Sequence, residues 1–284
     1  MSAGRMSAGE RTPRRRMPRS GRGWTIGLSA WFAVAVVFLL APIVAAFVYS
    51  FNVGTLGKQT ATFTGWTLDW YPIAWQDDSL RRSVTTSLEV ACWVAVLGLV
   101  VGGTLGLALV RHPSARVRRL LSGLTYILLI VPETVIGVSL LLFYAQTTIP
   151  LSMATLVAGQ TPVVISVVAL IIRSRALTLD RGLEEASADL GAGRLQTLVF
   201  VVLPHLAPAI AAGALMSYAF SFDNLVISTF LTTPEVGTLP VYLYGSLQYG
   251  PSPAVYAATT AISVVTIIGL GLALLVMRIG GRRV

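Results

Sequence analysis

Residues 185–204 read EASADLGAGRLQTLVFVVLP and lie between two strongly apolar segments. An acidic start, a central Gly191 and an exit through Leu203 and Pro204 set this connector apart from an ordinary loop. Asp180 is placed to cap a short helix. Glu184 and Glu185 then fall in its first turn, where the helix dipole favours carboxylates. Ala186, Ala188 and Leu190 extend that helix with good or adequate propensity. Gly191 is suited to end it in a left-handed turn. A second helix is expected from about Gly193 to Val202, and Pro204, which cannot continue an undistorted helix, redirects the chain. The expectation is two short helices meeting at an angle around Gly191.

The flanking apolar segments are typical of the whole chain. Of its 284 residues 55% are hydrophobic and only 12% charged, and the mean hydropathy is +0.75. Soluble domains carry about 25% charged residues, so lipid rather than water is the main solvent. The net charge of +9 does not point to nucleic acid, because it is concentrated at one end. Arg5, Arg11, Arg14, Arg15, Arg16, Arg19 and Arg22 sit in a Pro/Ser/Gly-rich leader without helical periodicity. This composition reads as a disordered topology anchor able to touch anionic lipid heads. The apolar segment after it, 24–50, is longer than a signal-peptide core. A single cysteine, Cys92, allows neither an intramolecular disulfide nor a thiolate metal cluster and reads as a small core residue. Neither His112 nor His205 has a second ligand at metal spacing. The chain has no G-x-x-x-x-G-K-[ST] loop and no legible nucleophile–base pair, so it is expected to be no enzyme and to bind no cofactor itself.

The fold class expected is an all-α membrane protein with six transmembrane helices, near 24–50, 84–110, 118–145, 152–174, 206–231 and 255–278. The first and third exceed the bilayer and should tilt or protrude. Basic residues set the orientation. Seven lie in the leader, four at Arg111, Arg116, Arg118 and Arg119, four at Arg173, Arg175, Arg181 and Arg194, and three at Arg278, Arg282 and Arg283. That places 18 of the 21 on one side. Lys58, Arg81 and Arg82 lie opposite. Both termini and the 185–204 connector are therefore expected in the cytoplasm. The chain divides into a basic leader (1–23), a first helix with its outer loop (24–80), a core of five helices (81–278) containing the connector region 175–204, and a tail (279–284). The outer segment 51–83 spaces Trp66, Trp70, Tyr71 and Trp75 like an amphipathic helix suited to the membrane interface. A second outer segment, 232–254, is rich in Pro, Gly and Tyr. In the second helix, Gly98, Gly102 and Gly106 recur every four residues, a spacing that lets helix backbones approach closely.

Two acids fall inside apolar segments. Glu133 follows Pro132 in the third helix, and Asp223 lies in the fifth. Ionisable groups inside a bilayer are costly and usually face the bundle interior or a water path, and a proline frees a backbone carbonyl where the helix bends. Two acids without an intramembrane Lys suit a cationic, hydrogen-bonding solute, with Asn224, Tyr218, Ser221 and Ser217 as further polar contacts. Helix–helix hydrogen bonding, or pairing with a second membrane subunit, is the alternative for both. Glu89, at the outer part of the second helix, reads as an interface residue.

Residues 185–204 resemble the EAA loop of ABC-importer permeases, whose pattern is E-A-A, three residues, G, nine residues, I-x-L-P. Glu185, Ala186, Gly191, Leu203 and Pro204 match in type and spacing, while Ser187 replaces the second Ala and Val201 the Ile. Over about 40–275 further motifs are similar to the second permease subunit of spermidine/putrescine importers, the PotC-like branch. They are Tyr49-Ser50-Phe51-Asn52, Phe63-Thr64-Gly65-Trp66 with Trp70-Tyr71, Val131-Pro132-Glu133-Thr134-Val135-Ile136-Gly137, Ser221-Phe222-Asp223-Asn224-Leu225-Val226-Ile227-Ser228 and Thr238-Leu239-Pro240. The resemblance implies a type I importer permease with the MetI-like fold, multi-pass in the bacterial cytoplasmic membrane. It implies that Glu185, Ala186, Ser187, Gly191, Leu203 and Pro204 couple to an ATPase, and that Asp223, Asn224, Glu133 and Tyr218 are the candidates for the substrate path. It further implies a homologous second permease, two ATP-binding subunits that carry the ATP and Mg, and an extracytoplasmic substrate-binding protein, with a polyamine as cargo. The alternatives are another small solute, or a stand-alone secondary transporter. The latter would need an inverted repeat or a coupled ion site, and neither is visible.

Overall fold

The computed structural model describes residues 22–55, 58–59, 62–248, 250 and 252–280. Most of the leader, 1–21, and the end of the tail, 281–284, lie outside them. The described chain is helical: α1 (Arg22–Tyr49), α2 (Trp70–Gln76), α3 (Asp78–Arg111), α4 (Ala115–Ile130), α5 (Glu133–Gln146), α6 (Met153–Leu177), α7 (Arg181–Asp189), α8 (Arg194–Phe222), α9 (Val226–Leu231), α10 (Leu239–Gln248) and α11 (Pro253–Gly280). Beyond two isolated bridges, Asn52 with Trp66 and Thr55 with Lys58, there is no strand among the described residues.

Among the described residues, four helices are long and apolar enough to cross a bilayer: Gly27–Tyr49, α3, α6 and α8. The expected third span is not one helix. It is broken into α4 and α5, bent by 95°. Proline explains the break. Pro132 has no N–H, and its ring disfavours helical backbone in the residue before it. Val131 is accordingly extended (φ −63°, ψ 126°). The expected fifth span is likewise interrupted, because α8 stops at Phe222 and α9 begins at Val226. The last helix, α11, carries a shorter apolar stretch, Pro253–Gly269, within its described side chains.

Local chemistry sets several helix starts. Asp77 Oδ1 accepts from the backbone N–H of Ser79 (2.9 Å) and Leu80 (3.0 Å), opening α3. Ser152 and Thr155 form a reciprocal capping box at the start of α6. A proline does not always stop a helix, and Pro204 corrects the sequence expectation: α8 passes through it without redirection. A π turn at Leu198–Val202 precedes it. Widening of that turn relieves the clash between the proline ring and the carbonyls of the previous turn.

The centre of the molecule is α6, whose Leu156, Val164, Val168 and Ile172 are almost fully buried. Its neighbours are α3 and α8. The Gly98, Gly102 and Gly106 face of α3 makes the close approach expected of it. A Cβ on Gly102 would stand 2.7 Å from the Ile165 carbonyl oxygen, and one on Gly106 2.7 Å from that of Ala169. Cys92 on α3 is exposed, not a core residue as its surroundings in sequence suggested. Helix α1 packs against α11 and turns Trp31, Phe32 and Phe38 outward.

The segment between α1 and α3 is only partly helical. Trp66 sits in a bridge with Asn52 rather than on the helical face expected for it, and among the described residues of this segment only α2 is helix. Here buried Asn52 replaces periodicity as the organiser. It donates to Gln59 Oε1 (2.8 Å), accepts from the Thr64 N–H (2.7 Å) and, through its carbonyl, from Trp70 Nε1 (3.0 Å). At the same end, Asp77 Oδ2 accepts from the Tyr242 hydroxyl (2.8 Å), and Ser87 Oγ accepts from the Leu239 N–H (2.8 Å). These two bonds tie α10 to α3.

Candidate functional site

Two places hold the sequence-derived candidates: a knob around α7 and an internal polar seam where the broken helices meet.

The knob is built by local hydrogen bonds. Asp180 Oδ1 accepts from the Gly182 N–H at 2.9 Å and starts α7. Glu184 lies in the first turn, whereas Glu185 falls just beyond it, a one-residue correction to the expected placement. Gly191 ends the helix at φ +84°. Its N–H donates to the Ala188 carbonyl (2.9 Å), and the Ala192 N–H reaches back to that of Ser187 (3.1 Å). That pair of bonds is the Schellman arrangement, which favours glycine at the left-handed position. The Gly193 N–H then donates to Gln196 Oε1 (2.8 Å) as α8 begins. The two helices thus meet around Gly191, as the residue pattern implied, but the second is not short: it continues as α8 to Phe222.

Side chains fix the knob from two directions. Ser187 Oγ and Thr197 Oγ1 share a hydrogen bond of 3.0 Å, so the hydroxyl that departs from the family pattern clasps α7 to α8. Arg111 Nη2, at the last residue of α3, lies 2.5 Å from Glu184 Oε1. Glu185 and Ala186 are exposed, and Leu190 is 89% exposed. Leu183 (42%) and Leu195 (72%) expose further apolar surface beside them. Leu203 and Pro204 are exposed on α8. Close by, Arg175 Nε donates to the His205 carbonyl (3.2 Å), joining the end of α6 to α8.

The seam assembles at the two helix breaks. Glu133 is the first residue of α5, and its Oε2 accepts from Asn224 Nδ2 at 3.1 Å. Asn224 Oδ1 in turn accepts from the N–H groups of Ile227 (3.1 Å) and Ser228 (3.3 Å), capping the first turn of α9. Ser228 Oγ accepts from Gln160 Nε2 (3.0 Å), and Gln160 Oε1 accepts from Ser221 Oγ (2.5 Å). One buried amide on α6 therefore bridges the end of α8 to the start of α9. Glu133 and Asn224 are brought together; Asp223 and Tyr218 stand apart from this chain of bonds. Asp223 closes α8 and is exposed, and half-buried Tyr218 stacks on Phe222 with ring centroids 5.9 Å apart. Ser217 Oγ returns to its own helix, donating to the Gly213 carbonyl (2.7 Å).

Sequence reading missed Gln160, Arg111 and Thr197. For Gln160 a signal existed, since an amide inside an apolar helix ordinarily bonds across a helix interface. Arg111 was legible only as one more basic residue.

Residues 95–283 match the model of the family described as binding-protein-dependent transport system inner membrane component. The chain belongs to this family. Its curated relatives include the putrescine transport system permease protein PotI of Escherichia coli (strain K12), 32% identical over 82% of this chain and 84% of that one. The spermidine/putrescine transport system permease protein PotC of the same organism is 30% identical over 85% of this chain and 90% of that one. Among solved structures, a bacterial ABC transporter involved in import of the acidic polysaccharide alginate has a chain that superposes with TM-score 0.69, at 19% identity over 93% of this chain and 98% of that one. The MetNI methionine ABC transporter gives 0.58, at 21% identity over 70% and 92%. The fold of this permease is therefore that of ABC-importer membrane subunits, and the reading as a stand-alone secondary transporter falls away.

Proposed function

We propose that this chain is the membrane-spanning half of an ATP-driven importer that moves a polyamine across the bacterial cytoplasmic membrane. The observation that carries the cargo is similarity over more than four-fifths of the chain to putrescine and spermidine/putrescine permeases. In this reading the chain makes six spans, counting the broken α4–α5 pair, the α8–α9 pair and α11, with both termini and the knob in the cytoplasm; the distribution of basic residues supports that orientation. A homologous second permease in the lipid bilayer, two ATP-binding subunits holding the ATP and Mg on its cytoplasmic side, and an extracytoplasmic binding protein complete the complex.

In this reading the knob is the ATPase contact. Glu185, Ala186 and Leu190 meet the ATP-binding subunit, while Gly191 and Ser187 hold α7 against the start of α8. Leu203 and Pro204 begin the stretch of α8 that carries the motion inward. ATP-driven closure moves the knob as a rigid body and switches the helices between outward and inward access. Glu133, Asn224 and Asp223, with Tyr218 beside them, line the path. Carboxylates at a helix break suit a cation, because lone acids inside a membrane face a water path or a partner. The test is affinity purification of the tagged protein in mild detergent, beside Glu185→Ala and Gly191→Pro, followed by putrescine and spermidine uptake in vesicles. An ATPase subunit that accompanies the wild type and is lost or uncoupled in the variants, with ATP-dependent polyamine uptake, is the expected result. A protein that purifies alone and moves solute without ATP contradicts it.

A further inference from the structure

The knob is held by more than its own segment of the chain. Its second anchor is Arg111, seventy-three residues before Glu184 in sequence and on a different membrane helix. The side chains of the pair are 21% and 29% exposed. Arg111 Nε and Nη2 and Glu184 Oε1 are shielded from solvent and make no aligned hydrogen bond, so the contact is electrostatic. The turn that presents Arg111 is itself braced, since Arg118 Nη1 donates to the His112 carbonyl at 2.6 Å.

Arg111 ends a helix 34 residues long, whose far end is bonded to α10 through Asp77 and Ser87. At 1.5 Å per residue that is about 51 Å, enough to cross the bilayer. Along the way Gly102 and Gly106 press α3 onto the backbone of α6, so the two helices are keyed together and cannot slide freely.

We propose that Arg111 is a positioning residue for energy coupling: its ion pair with Glu184 ties the knob to α3, so that displacement of α7 drives α3, and with it the outer segment at α10, together with α8. This rests on the reading of the knob as the ATPase contact. Without the pair, the direct side-chain tie from α7 to α3 is lost, and motion of α7 reaches α3 only indirectly, through α6 and α8, which pack against it. Removing one partner of a shielded pair strands the other charge, whereas exchanging the two restores the attraction.

The experiment uses the full complex in vesicles with the binding protein supplied. Arg111→Ala, Arg111→Glu, Arg111→Lys and the exchange R111E/E184R are compared with wild type for capture of the ATPase subunit, ATP hydrolysis and putrescine uptake. Arg111→Ala and Arg111→Glu should keep capture and hydrolysis but lose about tenfold in uptake per ATP hydrolysed, the scale of a typical coupling free energy. Arg111→Lys and the exchange should return most of it. Unchanged uptake per ATP in Arg111→Glu overturns the proposal, as does an exchange variant no better than the single one. A proportional fall in complex yield and both activities, with their ratio unchanged, assigns Arg111 a merely structural role and overturns it too. If wild type captures no ATPase subunit, the reading of the knob fails first, and that failure is visible before any variant is scored.

Discussion

The knob at 180–204 and the seam at Glu133, Gln160 and Asn224 are both built from polar groups in an apolar chain, yet they are held together in opposite ways. The knob's shape comes from bonds between residues a few positions apart: Asp180 to Gly182, Ala192 to Ser187, Gly193 to Gln196. Its surface is left open, with Leu190 almost wholly exposed. The bonds that join the seam's separate segments run between residues 61 to 91 positions apart, such as Ser221 to Gln160 and Asn224 to Glu133, and its linking amide is buried. A region that must fit a partner is shaped locally and presents a face. One that must hold broken helices together is assembled only in the finished fold.

If that contrast is right, a backbone change in the knob has the largest effect. Gly191→Pro replaces a φ of +84° by one near −65° and deletes the N–H bonded to Ala188, a cost of ~3 kcal/mol or more. Polyamine uptake should be abolished while the permease still inserts in the membrane. Gly191→Ala, with a left-handed penalty of about 1–2 kcal/mol, should fall between the two, and equal uptake in all three would break the comparison. In the seam, Glu133→Ala leaves Asn224 Nδ2 without its acceptor, a loss of about 1–3 kcal/mol. Uptake should drop roughly tenfold or more through both stability and cation affinity, whereas Asp223→Asn, at an exposed position, should raise the uptake KM and leave the melting temperature alone. Gln160→Leu sharpens the contrast further. It should lower the detergent melting temperature by a few degrees, matching the ~0.6–1.7 kcal/mol of interhelical hydrogen bonds in membranes, without changing ATPase capture. Smallest is Ser187→Ala, which loses one half-exposed hydroxyl bond of about 0.5–1.5 kcal/mol and should leave uptake within about twofold.

The same contrast explains what the sequence made legible. Asp180 and Gly191 reveal the knob because a cap and a left-handed turn depend on near neighbours. Pro132 signalled a bend but not its 95° extent, since the angle depends on what α5 packs against. Pro204 misled for a related reason: a π turn one step earlier lets the helix run on, and nothing in composition announces it. Trp66 looked helical by spacing, but Asn52, fourteen residues earlier, holds that backbone in a bridge. Gln160, Asn224 and Glu133 come from three separate segments, and only packing brings them within bonding distance. For Arg111, charge was visible and its partner was not.

The most direct test of the account is site-specific crosslinking from the knob. With Cys92 replaced by Ser, a cysteine introduced as Leu190→Cys carries a photoreactive maleimide in vesicles of the assembled transporter, with Trp66→Cys as the control. The account predicts an ATP-sensitive crosslink from position 190 to the ATPase subunit and none from position 66. A crosslink from 66 to that subunit, or none from 190 in a complex that transports, would contradict it.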